Sequence, residues 1–234
     1  MEAIHKKVKG KKLTEFTELR DMVEHAWNVV HTHCPKEFCD SWDSVVHGCM
    51  DLISEEVFFR NYLWCVYVSG FSAKAVTANF DRLLHAHTLV DDQGHFIPSE
   101  RAESPSKEKV FAVWKNHAKF NAIFKTRAQV REGWVPFRIA FLDRRSPEAI
   151  QNIAFMGPAL SRHLARNLGG INIVKPDVHL VRLARHFLVP RSETPLGSVE
   201  RLCHAASASF QEMNNWPLGK VDLLLWYASA TLRS

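Results

Sequence analysis

Apolar residues recur every three or four positions along most of this chain, the spacing of a single buried helical face. In "LTEFTELRDMVEHAWNVVH", Phe16, Leu19, Val23, Trp27 and Val30 share such a face, with Thr14 placed to cap it. "KEFCDSWDSVVHGCMDLI" repeats the period after Pro35. "EEVFFRNYLWCVYVSGF" is almost wholly apolar, so composition alone also admits a strand. Its length, and the helical run "SAKAVTANFDRLLHAH" behind it, predict a buried helix, a turn at Ser69-Gly70 and a second helix. Val90 to Ser106, rich in Gly, Pro, Ser and charge, reads as a loop. One long helix is predicted over "KEKVFAVWKNHAKFNAIFKTRAQVRE". Ser146 as N-cap and Pro147 at the first helical position open another in "RRSPEAIQNIAFM". "SVERLCHAASASFQEMN" and "GKVDLLLWYASATL" complete the helices. There is no internal repeat, sustained heptad or alternating strand series, so the predicted fold class is all-α.

Composition narrows the picture. A chain of 234 residues, 46% of them hydrophobic, suits one domain or two joined lobes with a true core. The net charge of +5, with thirteen His in reserve, favours a polyanionic partner. No apolar run approaches the ~20 residues needed to span a bilayer. "MEAIHKKVKGKK" has no apolar segment behind its charges, so no signal peptide is expected. Its Lys6, Lys7, Lys9, Lys11 and Lys12 read as a solvated tail, with auxiliary phosphate contacts as the alternative. Five Cys at irregular spacing suggest reduced thiols and a cytoplasmic protein. His31, His33, Cys34, Cys39, His47 and Cys49 gather near the start. Their spacing fits no familiar zinc pattern, so no metal is expected there. No nucleotide-binding or metalloprotease motif occurs.

The chemistry concentrates in "FMGPALSRHLARNLGGINIVKPDVHLVRLARHF". Ile150, Ile153, Phe155 and Met156 read as one side of a helix, and Leu160, Leu164 and Leu168 as one side of the next. Gly157, Pro158 and Ala159 make a tight turn between them. The second helix opens there, so its first N–H groups lack internal partners and, with the positive end of the dipole, suit a phosphate. Small residues at Gly157 and Ala159 admit a close backbone, and Arg162, His163 and Arg166 add positive charge. An ordinary helical hairpin is the competing reading. Asp177 then stands before "VHLVRLARHF", in which Val178, Val181, Ala184 and Leu188 are expected to form the packed face. Asp is a favoured N-cap, and an N-cap carboxylate is also free to serve chemistry.

Hairpin, helix, short apolar link and Asp-x-His-x-x-Arg together resemble the helix-hairpin-helix superfamily of DNA glycosylases, named for its glycine/proline-rich loop plus aspartate. The likeness is strongest from Pro147 to Phe187 and extends more weakly to "VFFRNYLWCVYVSGFSAKAVTANFDRL". It implies two helical lobes with a cleft between them. Residues 1–12 would be a basic tail, 13–60 with 188–234 the terminal lobe, and 61–187 the central lobe, holding the hairpin at about 146–168 and the aspartate helix.

The same resemblance makes Asp177 the catalytic residue. Gly157, Pro158, Ala159, Ser161 and Arg162 become the phosphate-binding hairpin, often assisted by a monovalent cation. Ser161 falls where strand-cleaving relatives carry a Schiff-base lysine, so simple hydrolysis is implied. Ser69, Gly70 and Phe71 fall where relatives insert a side chain into the duplex. Trp64, Trp134 and Trp216 are candidates to stack on a flipped base, with core packing as the alternative. His179 and Arg182 are candidates to contact backbone or hold Asp177. Lys175 is the nearest amine by sequence if the enzyme is instead a lyase. Pro176 replaces the family's usual small aliphatic residue, the link to Asp177 is short, and the iron–sulfur cysteines are missing. The expected partner is double-stranded DNA with a modified base, bound by a monomer, with no cofactor required and no membrane. Alkylated purine, oxidised guanine, a mispair and a bulky hypermodified phage base all stay open as substrate. A non-enzymatic DNA-binding module is the remaining alternative.

Overall fold

The computed structural model describes residues 16–33, 42–43, 52–188 and 194–231. Among these all regular structure is helical, with twelve α-helices, a short 3-10 turn at Gln211–Met213 and no strand beyond an isolated Val90–Phe96 bridge. The chain divides into two units, Met1–His47 with Gly170–Ser234, and Gly48–Gly169.

The first unit holds α1 (Leu19–His33) and three later helices, α10 (Val178–Phe187), α11 (Pro195–Ser209) and α12 (Leu218–Thr231). Val23 and Val30 of α1, Leu180 and Leu183 of α10, Leu202 of α11 and Leu224 of α12 are buried in one core. This shared core corrects two expectations. The helix that follows Asp177 belongs with the terminal segments, not with a central lobe reaching residue 187. Of the expected packed face, Ala184 is buried and Val181 and Leu188 pack partly against this core, whereas Val178 is 74% exposed, and Leu180 and Leu183 take the fully buried positions. Helical spacing admits both sets, and apposition of α11 and α12 selects among them.

The second unit is built on α2 (Glu55–Val68), capped by Ser54, whose hydroxyl accepts the Val57 N–H. As expected this helix is buried, with Phe58, Phe59, Tyr62, Leu63, Val66 and Tyr67 all fully covered. Residues 55–60 therefore belong here, not to a terminal lobe. The run after Gly70 breaks into α3 (Ala73–Thr77) and α4 (Phe80–Ala86). At the break, the Thr77 hydroxyl donates to the Ala73 carbonyl and the Asn79 amide to the Ala75 carbonyl, competing with the helical ladder. The expected single long helix likewise splits into α5 (Lys107–Val113) and α6 (His117–Glu132), because Asn116 caps a new start by accepting the Lys119 N–H.

Two arginines of α6 anchor the loop of residues 90–106, with Glu55 of α2 accepting the Ser99 N–H. Arg127 donates to the carbonyls of His87 and Ile97, and Arg131 to those of Ser99 and Ala102. An additional helix, α7 (Trp134–Phe141), starts at Gly133 and tolerates Pro136 because first-turn N–H groups have no helical partner. Then come α8 (Pro147–Ile150) and α9 (Pro158–Asn167).

Among the described residues no helix is long and apolar enough to cross a membrane. Among them no group of three or more His, Cys, Asp or Glu is placed to hold a metal ion. The lysine tail, Thr14, and Cys34, Cys39, His47 and Cys49 lie outside the described residues, as do the side chains of His31 and His33.

Candidate active site

Asp177 is the N-cap of α10. Its Oδ1 accepts the His179 N–H at 2.9 Å, and its Oδ2 lies 3.4 Å from Lys175 Nζ. Its backbone N–H donates to the Lys175 carbonyl at 2.8 Å, closing a tight turn over Pro176. The carboxylate is not sealed, for 17% of the side chain stays exposed. His179 thus contributes main chain to Asp177, not its ring. Arg182, on the same helix, keeps a buried Nε with no hydrogen-bond partner among the described residues.

The hairpin begins differently from expectation. Its first helix, α8, is a single turn that ends at Ile150, and residues 151–157 turn irregularly. Ser146 caps α8 through the Ala149 N–H with Pro147 next, as predicted. Ile150, Ile153 and Met156 are buried. Phe155 adopts φ 68°, a left-handed conformation costing about 1 kcal/mol for a bulky residue. It holds the bend before Gly157, whose N–H donates to the Phe155 carbonyl. Arg145 ties the hairpin's two ends, donating from Nε to the Leu168 carbonyl at 2.7 Å. From the core, Tyr62 donates its hydroxyl to the Ala154 carbonyl at 2.7 Å.

Gly157 caps α9 without a side-chain bond, so the Ala159 and Leu160 N–H groups have no side-chain cap. A Cβ at Gly157 would meet nothing within 4 Å, which leaves room for a close approach. Gly157 and Pro158 are exposed, Ala159 and Arg162 half-buried. Ser161 differs: it is fully buried, and its hydroxyl donates to the Pro158 carbonyl at 3.0 Å. Its hydroxyl is committed within the turn, so Ser161 leaves the set of surface phosphate donors.

At the expected wedge, Gly70 takes φ 77° to end α2, and Phe71 follows with 47% of its surface exposed. The Phe71 ring meets Trp114 edge-on at 4.8 Å between centroids. Lys119 is a residue that sequence reasoning missed. It is 3% exposed, donates from Nζ to the Tyr67 and Ser69 carbonyls at 2.9 and 2.7 Å, and lies 4.6 Å from the Phe71 ring centre. It satisfies the C-terminal carbonyls of α2 and braces the exposed ring. Burial pushes its amine down to about 8. The available signal is its register, four residues before the fully buried Ile123 on α6.

The three tryptophans are engaged in packing. Trp64 meets Phe80, Trp134 meets Phe58 and Phe137, and Trp216 meets Trp27 and lies under Lys220 Nζ at 3.9 Å. Asp177, Lys175, His179 and Arg182 fall in the first unit, and the hairpin and Phe71 in the second. No protein-family model, curated protein or solved structure matches the chain.

Proposed function

We propose that this protein is a monofunctional DNA glycosylase acting on double-stranded DNA that carries a modified base. The observation that supports this most is the state of Asp177. It has one oxygen on its own helix, the other facing a lysine, and surface left accessible at the end of the Lys-Pro-Asp-x-His-x-x-Arg run.

In this reading the target base leaves the stack at a cost of a few kcal/mol, and hairpin main-chain amides hold a flanking phosphate without reading sequence. The C1′–N bond then breaks, the base departing with the bonding electrons. Positive charge develops on the sugar, and the Asp177 carboxylate stabilises it. Water adds to C1′ and gives up its proton, for which Asp177 is the acceptor, leaving an abasic site. Damaged or mispaired bases and bulky hypermodified phage bases are the candidate substrates, giving roles in repair or in phage defence respectively.

A panel of modified-base DNAs, phage genomic DNA among them, tests the reading by mass spectrometry of released bases. Wild-type protein releases at least one base, and Asp177→Asn releases none while retaining DNA binding. Activity that survives Asp177→Asn overturns the assignment.

The proximity of Lys175 Nζ to Asp177 favours a second reading, a lyase whose amine condenses with C1′ of the sugar. Borohydride trapping separates the two, because only the lyase yields a covalent adduct.

A further inference from the structure

We infer that Asp222 and Gly219, at the start of α12, are positioning residues that hold the Asp177 turn in its working geometry. The inference rests on the glycosylase reading above. Asp222 is 1% exposed, and its Oδ2 accepts the backbone N–H of Lys175 at 2.6 Å. One helical turn earlier, the Gly219 N–H donates to the Ile171 carbonyl at 2.9 Å. Contact here is so close that a Cβ on Gly219 would sit 2.5 Å from the Ile171 oxygen and 3.2 Å from that of Ile173. Two residues of α12 therefore draw the link of residues 171–175 onto that helix, 47 positions away in the chain at the Asp222–Lys175 bond.

The link leads directly into the reacting group. Lys175 gives its N–H to Asp222 and its carbonyl to the Asp177 N–H, with only Pro176 between. Proline fixes φ, so the turn has little freedom once Lys175 is held. Asp177 then caps α10 through His179, which orients the carboxylate. The chain of restraint runs from α12 through Lys175 and Pro176 to Asp177. A carboxylate acceptor makes a shorter, stronger bond to an amide than a neutral acceptor does, which suits a restraint that has to hold position.

Catalysis is sensitive to such placement, and an error of 1 Å costs about 100-fold in rate. The test compares single-turnover base release, DNA affinity and thermal unfolding for the full-length wild type, Asp222→Ala, Asp222→Asn and Gly219→Ala. Asp222→Ala lowers the base-release rate by about 10- to 100-fold with unchanged DNA affinity. Asp222→Asn, whose amide oxygen still accepts the Lys175 N–H, restores most of it. Gly219→Ala, which pushes on Ile171 without touching Asp222, lowers the rate independently and serves if Asp222→Ala does not fold. Hydrogen exchange at the Lys175 amide accelerates in Asp222→Ala and not in Asp222→Asn, a change that loss of global stability alone does not produce selectively. Wild-type rates in both Asp222→Ala and Gly219→Ala overturn the positioning role alone. Losses that track unfolding temperature, with no rescue by Asp222→Asn, do the same. A wild type that releases no base from any substrate overturns the glycosylase reading itself.

Discussion

Lys175 Nζ lies 3.4 Å from Oδ2 of Asp177, with only Pro176 between the two residues. Both side chains are mostly covered, at 19% and 17% exposure. The same carboxylate caps α10, so its structural and chemical roles need to be separated by substitution.

Asparagine caps a helix about as well as aspartate. Asp177→Asn therefore keeps the cap and loses only the pair with Lys175, at roughly 1 kcal/mol, while base release is lost. Asp177→Ala loses the cap as well and costs roughly 1 kcal/mol more. Urea unfolding beside the base-release assay checks both. Equal stability losses in the two variants would show that the cap contributes nothing.

Lys175→Met removes the ammonium from a sheltered pair and leaves the main-chain bonds of the turn in place. Stability falls by roughly 1 kcal/mol, between the values for exposed and buried pairs. Base release slows but persists, since the reading needs the carboxylate and not the amine. Complete loss of activity, together with a borohydride adduct in the wild type, would move the chemistry to Lys175.

Tyr62 supports the hairpin turn through the Ala154 carbonyl. Tyr62→Phe leaves that half-buried carbonyl without its donor, removes the bond to Thr126 in the core, and destabilises the protein by ~2 kcal/mol. DNA affinity drops at constant salt as the turn loosens. Denaturant midpoints and a binding titration measure the two effects, and a variant as stable as wild type would exclude the support.

Phe71 is half exposed, so Phe71→Ala folds normally and slows base release if the ring enters the duplex. Lys119 behind it carries a pH signature. Its amine is depressed from 10.5 to about 8, so between those values the unfolded chain holds a proton that the folded one has released. Stability attributable to Lys119 thus rises with pH from about 8 to 10.5. Lys119→Met removes that rise, which unfolding curves at pH 7.5 and pH 10 compare (about the two ends of the window). A slope that is the same in both proteins refutes the assignment.

His87 acts at the acid end. It is fully buried with Nε2 2.8 Å from the Tyr67 hydroxyl, and burial lowers it from 6.5 to about 3. Between those values the unfolded chain takes up a proton that the folded imidazole refuses, so stability falls as pH falls through this window. His87→Gln, which retains a partner for Tyr67 and does not titrate, loses less stability from pH 6.5 to about 4. Parallel losses would place the acid sensitivity elsewhere.

What the chain alone determines here is local. The start of α8 at Ser146 and Pro147, and of α10 at Asp177, depend on contacts within three residues, so residue type suffices to locate them. The helical character of "EEVFFRNYLWCVYV" follows from its length and from the helical run behind it, and the turn follows from Ser69-Gly70. The breaks at Asn79 and Asn116 are harder to read, because side-chain and helical hydrogen bonds compete there with nearly equal strength.

Other features depend on which elements meet. Two apolar stripes run along α10, and only burial against α11 and α12 selects Leu180 and Leu183 over Val178. The same apposition assigns Asp177 to the terminal unit. Ser161 has the composition of an exposed polar residue, yet the turn takes up its hydroxyl. Lys119 and Asp222 gain their meaning from carbonyl and amide groups 50 and 47 positions away. No periodicity within a helix encodes partners at such separations. Burial of a charged group is set by what folds over it, and that is decided in three dimensions.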